Sequence, residues 1–195
     1  MEILRLYPEN AEQIALKTAK ILMGGGVCVC PTDTVYGLLA NALTSKAVKK
    51  IYRIKKRDPG KPLPVFIKSI EAAKKIAVID GRDEDKLQAA WPGKTTFVLN
   101  LRSGVNIPAT TGRTIALRMP DHEFLSALLE KLDFPVIGTS ANIAGHGPFN
   151  KINDILTEFS NAEGQPDLVI NAGNLPKSKP STIVDLTDNA KILRK

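Results

Sequence analysis

Segments with the apolar spacing of a helix alternate with short apolar runs of strand length along almost the whole chain. That alternation constrains the fold more than any other feature. Helices and strands that take turns along a chain bury their apolar faces best as layers, helices packed on a sheet. Residues 10–23 place Ile14, Thr18, Ala19 and Leu22 at helical spacing, with Asn10 positioned to cap and Gly24-Gly25-Gly26 to terminate. Val27-Cys28-Val29-Cys30 follows as a buried strand stopped by Pro31. Residues 45–56 read as a helix capped by Thr44, with Val48, Ile51 and Tyr52 inward and the lysines outward. Val65-Phe66-Ile67 is strand-like, Ser69 caps a helix through Ile76, and a further helix lies around 83–90.

Thr95 to Leu101 and Thr114 to Arg118 read as strands. Asp121 is placed to cap an amphipathic helix with Phe124, Leu125, Leu128, Leu129 and Leu132 on one side. Val136-Ile137-Gly138 is a strand leading into a polar loop, 139–150, and a helix follows near 151–159. Short strands near 168–171, 181–186 and 191–194 make the last third strand-rich, which favours a mixed sheet over a purely parallel one. The expectation is a single α/β domain over residues 1–195.

At 195 residues, 43% hydrophobic and 24% charged, the chain can bury one core. No apolar run approaches the roughly 18 residues that span a bilayer. Met1-Glu2-Ile3-Leu4-Arg5 lacks the basic-then-apolar pattern of a signal peptide, so a cytoplasmic protein with no membrane partner is expected. Cys28 and Cys30, two apart in a strand, face the same side; they make poor disulfide partners, and two thiols do not close a zinc site. They read as small buried hydrophobes.

The net charge of +7 is uneven. Between Lys46 and Lys75 stand 11 Lys/Arg against Asp58 and Glu71, a balance of +9 that leaves about −2 for the remainder. The basic run also continues off the helix into a Pro/Gly loop. Such a segment suggests an anionic partner: nucleotide phosphate, nucleic acid, or both.

Several familiar sites are excluded. Gly93-Lys94-Thr95 imitates the end of a phosphate-binding P-loop, but Gln88 stands where the loop needs its first glycine, and strand-forming residues follow instead of a helix. Gly138-Thr139-Ser140-Ala141-Asn142 resembles a nucleophile elbow but lacks the final glycine. His122 and His146 are the only histidines, so a Ser-His triad has few candidate bases, and no clustered Cys/His site exists.

Three polar constellations remain at strand ends, where open α/β sheets place ligands. They are Pro31-Thr32-Asp33-Thr34-Val35-Tyr36-Gly37, the basic loop Lys55-Lys56-Arg57-Asp58-Pro59-Gly60-Lys61-Pro62-Leu63, and Gly138 to Asn142. Arg118 and Arg194 also end strands. Lys55 offers a point charge and Arg57 a planar fork, the usual pairing for a polyphosphate. Together these residues suggest an anion-binding crevice.

At these residues the chain resembles the YrdC family of threonylcarbamoyl-AMP synthases, in its single-domain form. Pro31 to Leu38 resembles the family's N-terminal motif, Lys55-Lys56-Arg57 its Lys-x-Arg element, and Lys61-Pro62-Leu63 follows at the family's distance. Trp91 to Thr96, Thr114 to Pro120, Ser140-Ala141-Asn142, Ser181 to Asp185 and Arg194 resemble further family segments, in order. The resemblance implies a twisted mixed α/β sheet flanked by helices, with a basic concave cavity. It implies conversion of L-threonine, bicarbonate and ATP to threonylcarbamoyl-AMP and pyrophosphate, with Mg²⁺ arriving on ATP. A separate threonylcarbamoyl transferase and accessory proteins would pass the product to tRNA, as N6-threonylcarbamoyladenosine.

By the same resemblance, Lys55 and Arg57 are catalytic, expected to be essential for product formation and dispensable for folding. Arg57, Lys61, Thr114, Ser140, Asn142 and Arg194 fall on ATP-contacting positions. Arg118 would clamp the threonine carboxylate, while Thr34 or Thr32, the Gly138 backbone and Ser181 would hold the rest of threonine. The chain departs from the pattern at Phe66, where some members have histidine, at Ala144-Gly145 and at Pro148. The competing readings are a non-catalytic module that binds double-stranded RNA or tRNA through the same basic groove, and a carbamoyl-transfer domain like that of larger hydrogenase-maturation proteins. RNA binding needs only the charge and weakens steeply with salt.

Overall fold

The computed structural model describes residues 1–160, 162 and 164–195. Strands β1 (Glu2–Arg5), β2 (Val27–Cys30), β3 (Gly37–Asn41), β4 (Val65–Phe66), β5 (Thr95–Asn100), β6 (Thr114–Arg118), β7 (Val136–Ser140), β8 (Leu168–Asn171), β9 (Thr182–Asp185) and β10 (Lys191–Arg194) form one sheet. Its order is β1-β8-β2-β3-β7-β4-β6-β5-β9-β10. The sheet is mixed: β8 runs parallel to β1 and β2, β4 to β6 and β5 to β9, while β3 is antiparallel to both β2 and β7. The helices are α1 (Ala11–Met23), α2 (Ser45–Lys55), α3 (Ile70–Ile76), α4 (Gly81–Ala90), α5 (Glu123–Glu130) and α6 (Ile152–Ser160).

The period of two along each strand divides the molecule. Val27, Val29, Leu38, Ala40, Val65, Ile137, Phe97, Leu99, Ile115 and Leu117 point to one face and join a core with α2, α3, α4 and α6. Cys28, Cys30, Leu39, Phe66 and Val136 point to the other face and join a second core with α1 and α5. The two thiols therefore share a face and are free and fully buried, as their spacing predicts. Burial holds both well above the usual thiol pKa. Helix α5 is too short to persist alone. Four of its side chains, Phe124, Leu125, Leu128 and Leu129, are buried against α1 and the sheet, each contributing roughly 1.5–3 kcal/mol.

Two strands and three caps differ from expectation; Thr44 holds the N-cap position of α2, but its side chain makes no capping hydrogen bond. The edge strand β1 and the central strand β3 carry no strong strand signal. Gly37-Leu38-Leu39-Ala40-Asn41 becomes a strand because β2 and β7 supply partners on both sides. Asn10 makes no side-chain cap for α1; its Oδ1 accepts from Tyr7 N at 2.8 Å and its Nδ2 donates to Arg5 O at 3.0 Å, closing a 3-10 turn ahead of the helix. Asp121 does not cap α5, whose N-cap is His122. Ser69 caps α3 as expected, accepting from Ala72 N at 3.1 Å, and α4 starts at Gly81 because Asp80 accepts from Asp83 N.

Gly138 has a steric reason to be glycine. A Cβ there would sit 2.4 Å from the Phe66 ring, which lies across it from the neighbouring strand. Gly138→Ala is expected to lower unfolding stability by about 1–3 kcal/mol, measured by urea denaturation, and Phe66→Leu in that background should recover part of the loss. Equal stability of Gly138→Ala and wild type would show that the ring yields freely.

Candidate active site

Helices α1 and α5 cover only part of their face of the sheet. Beyond them lies a cavity of about 510 Å³, floored by alternate residues of four strands: Thr96 and Val98 of β5, Ala116 and Arg118 of β6, Gly138 and Ser140 of β7, and Phe66 of β4. Its walls come from the β2–β3 turn (Thr32, Thr34), the basic loop (Arg57, Lys61), the loop after β7 (Asn142, His146) and the C-terminal strands (Ser181, Arg194). Ten of the residues singled out from sequence thus meet at one place: Thr32, Thr34, Arg57, Lys61, Arg118, Gly138, Ser140, Asn142, Ser181 and Arg194. No carboxylate lines it among the described residues.

Two residues fall elsewhere. Thr114 shares the face of Ala116 and Arg118 but stands at the far end of β6, paired with Asn100 and outside the lining. Lys55 is a larger correction. It is 2% exposed and sits behind the wall, at the end of α2. Its Nζ donates to Ser140 O at 2.6 Å, Asn142 O at 2.9 Å and Asn142 Oδ1 at 3.4 Å. Its own carbonyl accepts from Ala144 N at 2.7 Å. A fully committed ammonium does not reach into the cavity; Lys55 shapes the turn that lines it. Burial, reinforced by the nearby Arg57 charge and opposed by Glu158, pushes its pKa down to about 8.

Arg118 is also more engaged than its sequence position suggests. It is 3% exposed, and its Nη2 lies 2.6 Å from both carboxylate oxygens of Asp33. Its Nε donates to Gly93 O at 2.9 Å and Nη1 to Thr34 Oγ1 at 3.3 Å, while Phe66 lies 5.7 Å beneath the guanidinium. Asp33 was legible only as part of the Thr32-Asp33-Thr34 turn; its pairing required a strand distant in sequence. One Nη1 proton of Arg118 stays uncommitted.

The remaining cations have no carboxylate partner among the described residues. Arg57 donates to the carbonyls of Lys61 and Pro62, at 3.4 and 3.1 Å. Arg194 grips Ser181, with Nε and Nη2 at 3.0 and 2.8 Å from its carbonyl and Nη2 at 3.1 Å from its Oγ. The Ser181 hydroxyl meets Thr96 Oγ1 at 2.9 Å. Burial, helped by the positive Arg118, lowers the pKa of Arg194. Asn142 spends both amide protons on the carbonyls of Ile143 and His146. Thr32 Oγ1 donates to Val35 O at 2.7 Å and lies 3.0 Å from Thr34 Oγ1. Positive side chains converging without counter-ions, beside hydroxyls fixed by hydrogen bonds, make an anion site.

Residues 20–195 match the Sua5/YciO/YrdC family model, described as telomere recombination. The chain belongs to the Sua5/YciO/YrdC family. Within that family it is 32% identical, over 96% of its length and 89% of the relative's, to the putative threonylcarbamoyl-AMP synthase of Methanocaldococcus jannaschii. It is 33% identical to the threonylcarbamoyl-AMP synthase of Pyrococcus abyssi, spanning 96% of this chain and 55% of that protein. Its fold superposes on Pyrococcus abyssi Sua5 complexed with L-threonine with a TM-score of 0.85, at 33% identity, over 96% of this chain and 54% of that one. With Escherichia coli YciO the TM-score is 0.88 at 26% identity, covering 100% of this chain and 96% of that one. The chain thus spans about half the length of the Pyrococcus protein.

The depressed Lys55 pKa gives a signed prediction. In the unfolded chain a lysine keeps its proton to about pH 10.4. Between about 8 and that value the native state has lost the proton and the unfolded state has not. The Lys55 contribution to stability is therefore least favourable below pH 8 and rises from there upward. The difference in unfolding free energy between wild type and Lys55→Met should grow in favour of wild type across that window. A difference independent of pH would show that Lys55 is not desolvated.

Proposed function

We propose that this chain is a threonylcarbamoyl-AMP synthase, converting L-threonine, bicarbonate and Mg·ATP to L-threonylcarbamoyladenylate and pyrophosphate. The observation that carries the reading is the meeting of Arg57, Lys61, Arg118, Ser181 and Arg194 around one cavity on the half-covered face of the sheet. The likeness to a Sua5 solved with L-threonine, and to relatives named for this activity, supports it.

The chemistry suits the side chains. Threonine first captures bicarbonate as a carbamate, whose oxygen then attacks the α-phosphorus of ATP while pyrophosphate leaves. Two anions must approach, so the protein's task is alignment and charge neutralisation. Arg57 and Lys61 take the phosphates, and Arg194, held on Ser181, presents its remaining donors to the nucleotide. Mg²⁺ enters on ATP; among the described residues the lining offers it no carboxylate. Arg118, already neutralised by Asp33, offers one N–H to the threonine carboxylate, and Thr34 or Thr32, Ser181 and the Gly138 backbone border the amino acid. The adenylate then feeds tRNA modification through a separate transferase and its accessory proteins in the cytoplasm. Among the described residues no helix is long and apolar enough to cross a membrane.

Pyrophosphate release from ATP should require both L-threonine and bicarbonate. Arg57→Ala, which removes charged hydrogen bonds worth about 1.5–3 kcal/mol, should lower kcat/KM for ATP by about 10–100-fold with an unchanged melting temperature. Equal release without threonine and bicarbonate overturns the synthase. RNA retention that disappears with salt, with no turnover, would favour the binding module instead.

A further inference from the structure

We propose that His146, oriented by Glu158, is the proton acceptor in the carboxylation of the threonine amine, an inference that rests on the synthase reading above. His146 lies between β7 and α6 and lines the same cavity as Thr34 and Arg118. Its Nδ1 is 2.8 Å from Glu158 Oε1 and 3.1 Å from Oε2. A carboxylate only accepts, so Nδ1 carries the proton and Nε2 of the neutral ring keeps its lone pair. Glu158, on α6 with its side chain 10% exposed, is itself fixed: Oε1 also accepts from Ile143 N at 2.7 Å. The His146 carbonyl accepts from Asn142 Nδ2 at 2.6 Å. Ring and backbone are thus both anchored, the arrangement in which a carboxylate sets an imidazole's tautomer and basicity.

The reaction needs such a group. The threonine amine is an ammonium at neutral pH and has no lone pair with which to attack carbon. Apart from His146, the polar side chains of the lining are cations, an amide and hydroxyls, and among the described residues no carboxylate lines the cavity. Nε2 removes one ammonium proton, leaving a free amine and an imidazolium stabilised by Glu158. The amine forms the N–C bond to bicarbonate; the C–OH bond breaks, and the departing hydroxide takes the second nitrogen proton to leave as water. The product is the carbamate that attacks phosphorus. The imidazolium returns its proton to solvent, to which the His146 side chain is 56% open. Glu158 on α6 is hydrogen-bonded to the ring, Lys55 behind the turn interacts with Glu158, and Arg57, Lys61, Arg118 and Arg194 line the same cavity.

The test compares wild type, His146→Gln and Glu158→Gln in both directions of the reaction. Forward turnover from threonine, bicarbonate and ATP is followed by chromatography of the adenylate across pH. Reverse turnover is ATP formation from threonylcarbamoyl-AMP and pyrophosphate, which moves no amine proton. His146→Gln should lower forward kcat about 10²–10⁴-fold and abolish the acid limb of its pH profile. Reverse turnover and the KM for ATP should change far less. Glu158→Gln should lower forward kcat about 10–100-fold. A wild-type acid limb surviving in His146→Gln overturns the dyad, as does a raised KM for ATP with an unchanged pH profile, which would put His146 on phosphate. Equal losses in both directions with a lowered melting temperature also overturn it, leaving a structural role. If wild type makes no adenylate, it is the synthase reading that fails.

Discussion

Uneven coverage of one face of the sheet governs the rest of the structure. Helices α2, α3, α4 and α6 pack on one face, so nearly every residue pointing there is apolar. On the other face α1 and α5 reach β8, β2, β3 and the start of β7, and stop at Phe66. Past that ring the same face of the sheet carries Thr96 and Val98 of β5, Ala116 and Arg118 of β6, and Gly138 and Ser140 at the end of β7. A sheet left uncovered there by helix must meet solvent or ligand, so small and polar residues replace large apolar ones. Phe66 belongs to both regions: its ring closes the second core and floors the cavity. Gly138 exists to let it do so.

Charge is distributed by the same boundary. Arg118 is deep enough that an unpaired guanidinium would be untenable, and Asp33 compensates it at 2.6 Å. A pair so matched adds little net field, which leaves geometry as Arg118's contribution: a fixed donor beside Thr34. Arg57 and Lys61 lie nearer the rim, where water lowers the cost of holding a lone cation, and they stay unpaired among the described residues. The cavity therefore separates into a neutralised inner end and a positive outer end. That polarity would orient any ligand whose two ends differ in charge.

Much of this was legible in the sequence. Local patterns are decided by nearest neighbours, so Val27–Cys30, the helix beginning after Thr44, the Ser69 cap and the strands at Thr95 and Thr114 all emerge where spacing places them. β3 was not legible, because its Gly, Ala and Asn are weak strand formers and its partners come from β2 and β7. The site was legible as a set of residue types and illegible as a network. That Asp33 serves Arg118, or that Glu158 serves His146, depends on contacts across 85 and 12 residues. Asp121 looked like a cap, yet its backbone N–H goes to Asp33 Oδ2 at 3.3 Å while His122 opens the helix.

Lys55 shows why a motif lysine and a contacting lysine are different things. Within a Lys-x-Arg element a helix end directs the two side chains apart: Arg57, beyond the left-handed Lys56, turns to the cavity, and Lys55 turns under the sheet. There its ammonium closes the Ser140–Asn142 turn from behind, donating to the Asn142 carbonyl and sharing the Ser140 carbonyl with Asn142 N, which donates to it at 3.0 Å. A charge held behind a wall still acts through it, because Coulomb attraction falls only as the inverse of distance and the effective dielectric near a protein surface is about 20. A lysine behind the wall can thus attract a polyphosphate without occupying space or shedding water when it binds. The same burial that puts the charge there pushes its pKa down to about 8, close enough to neutrality that this attraction fades as solution turns alkaline. Arg57, whose charge persists at any pH a protein survives, keeps the part of the field that must not vary.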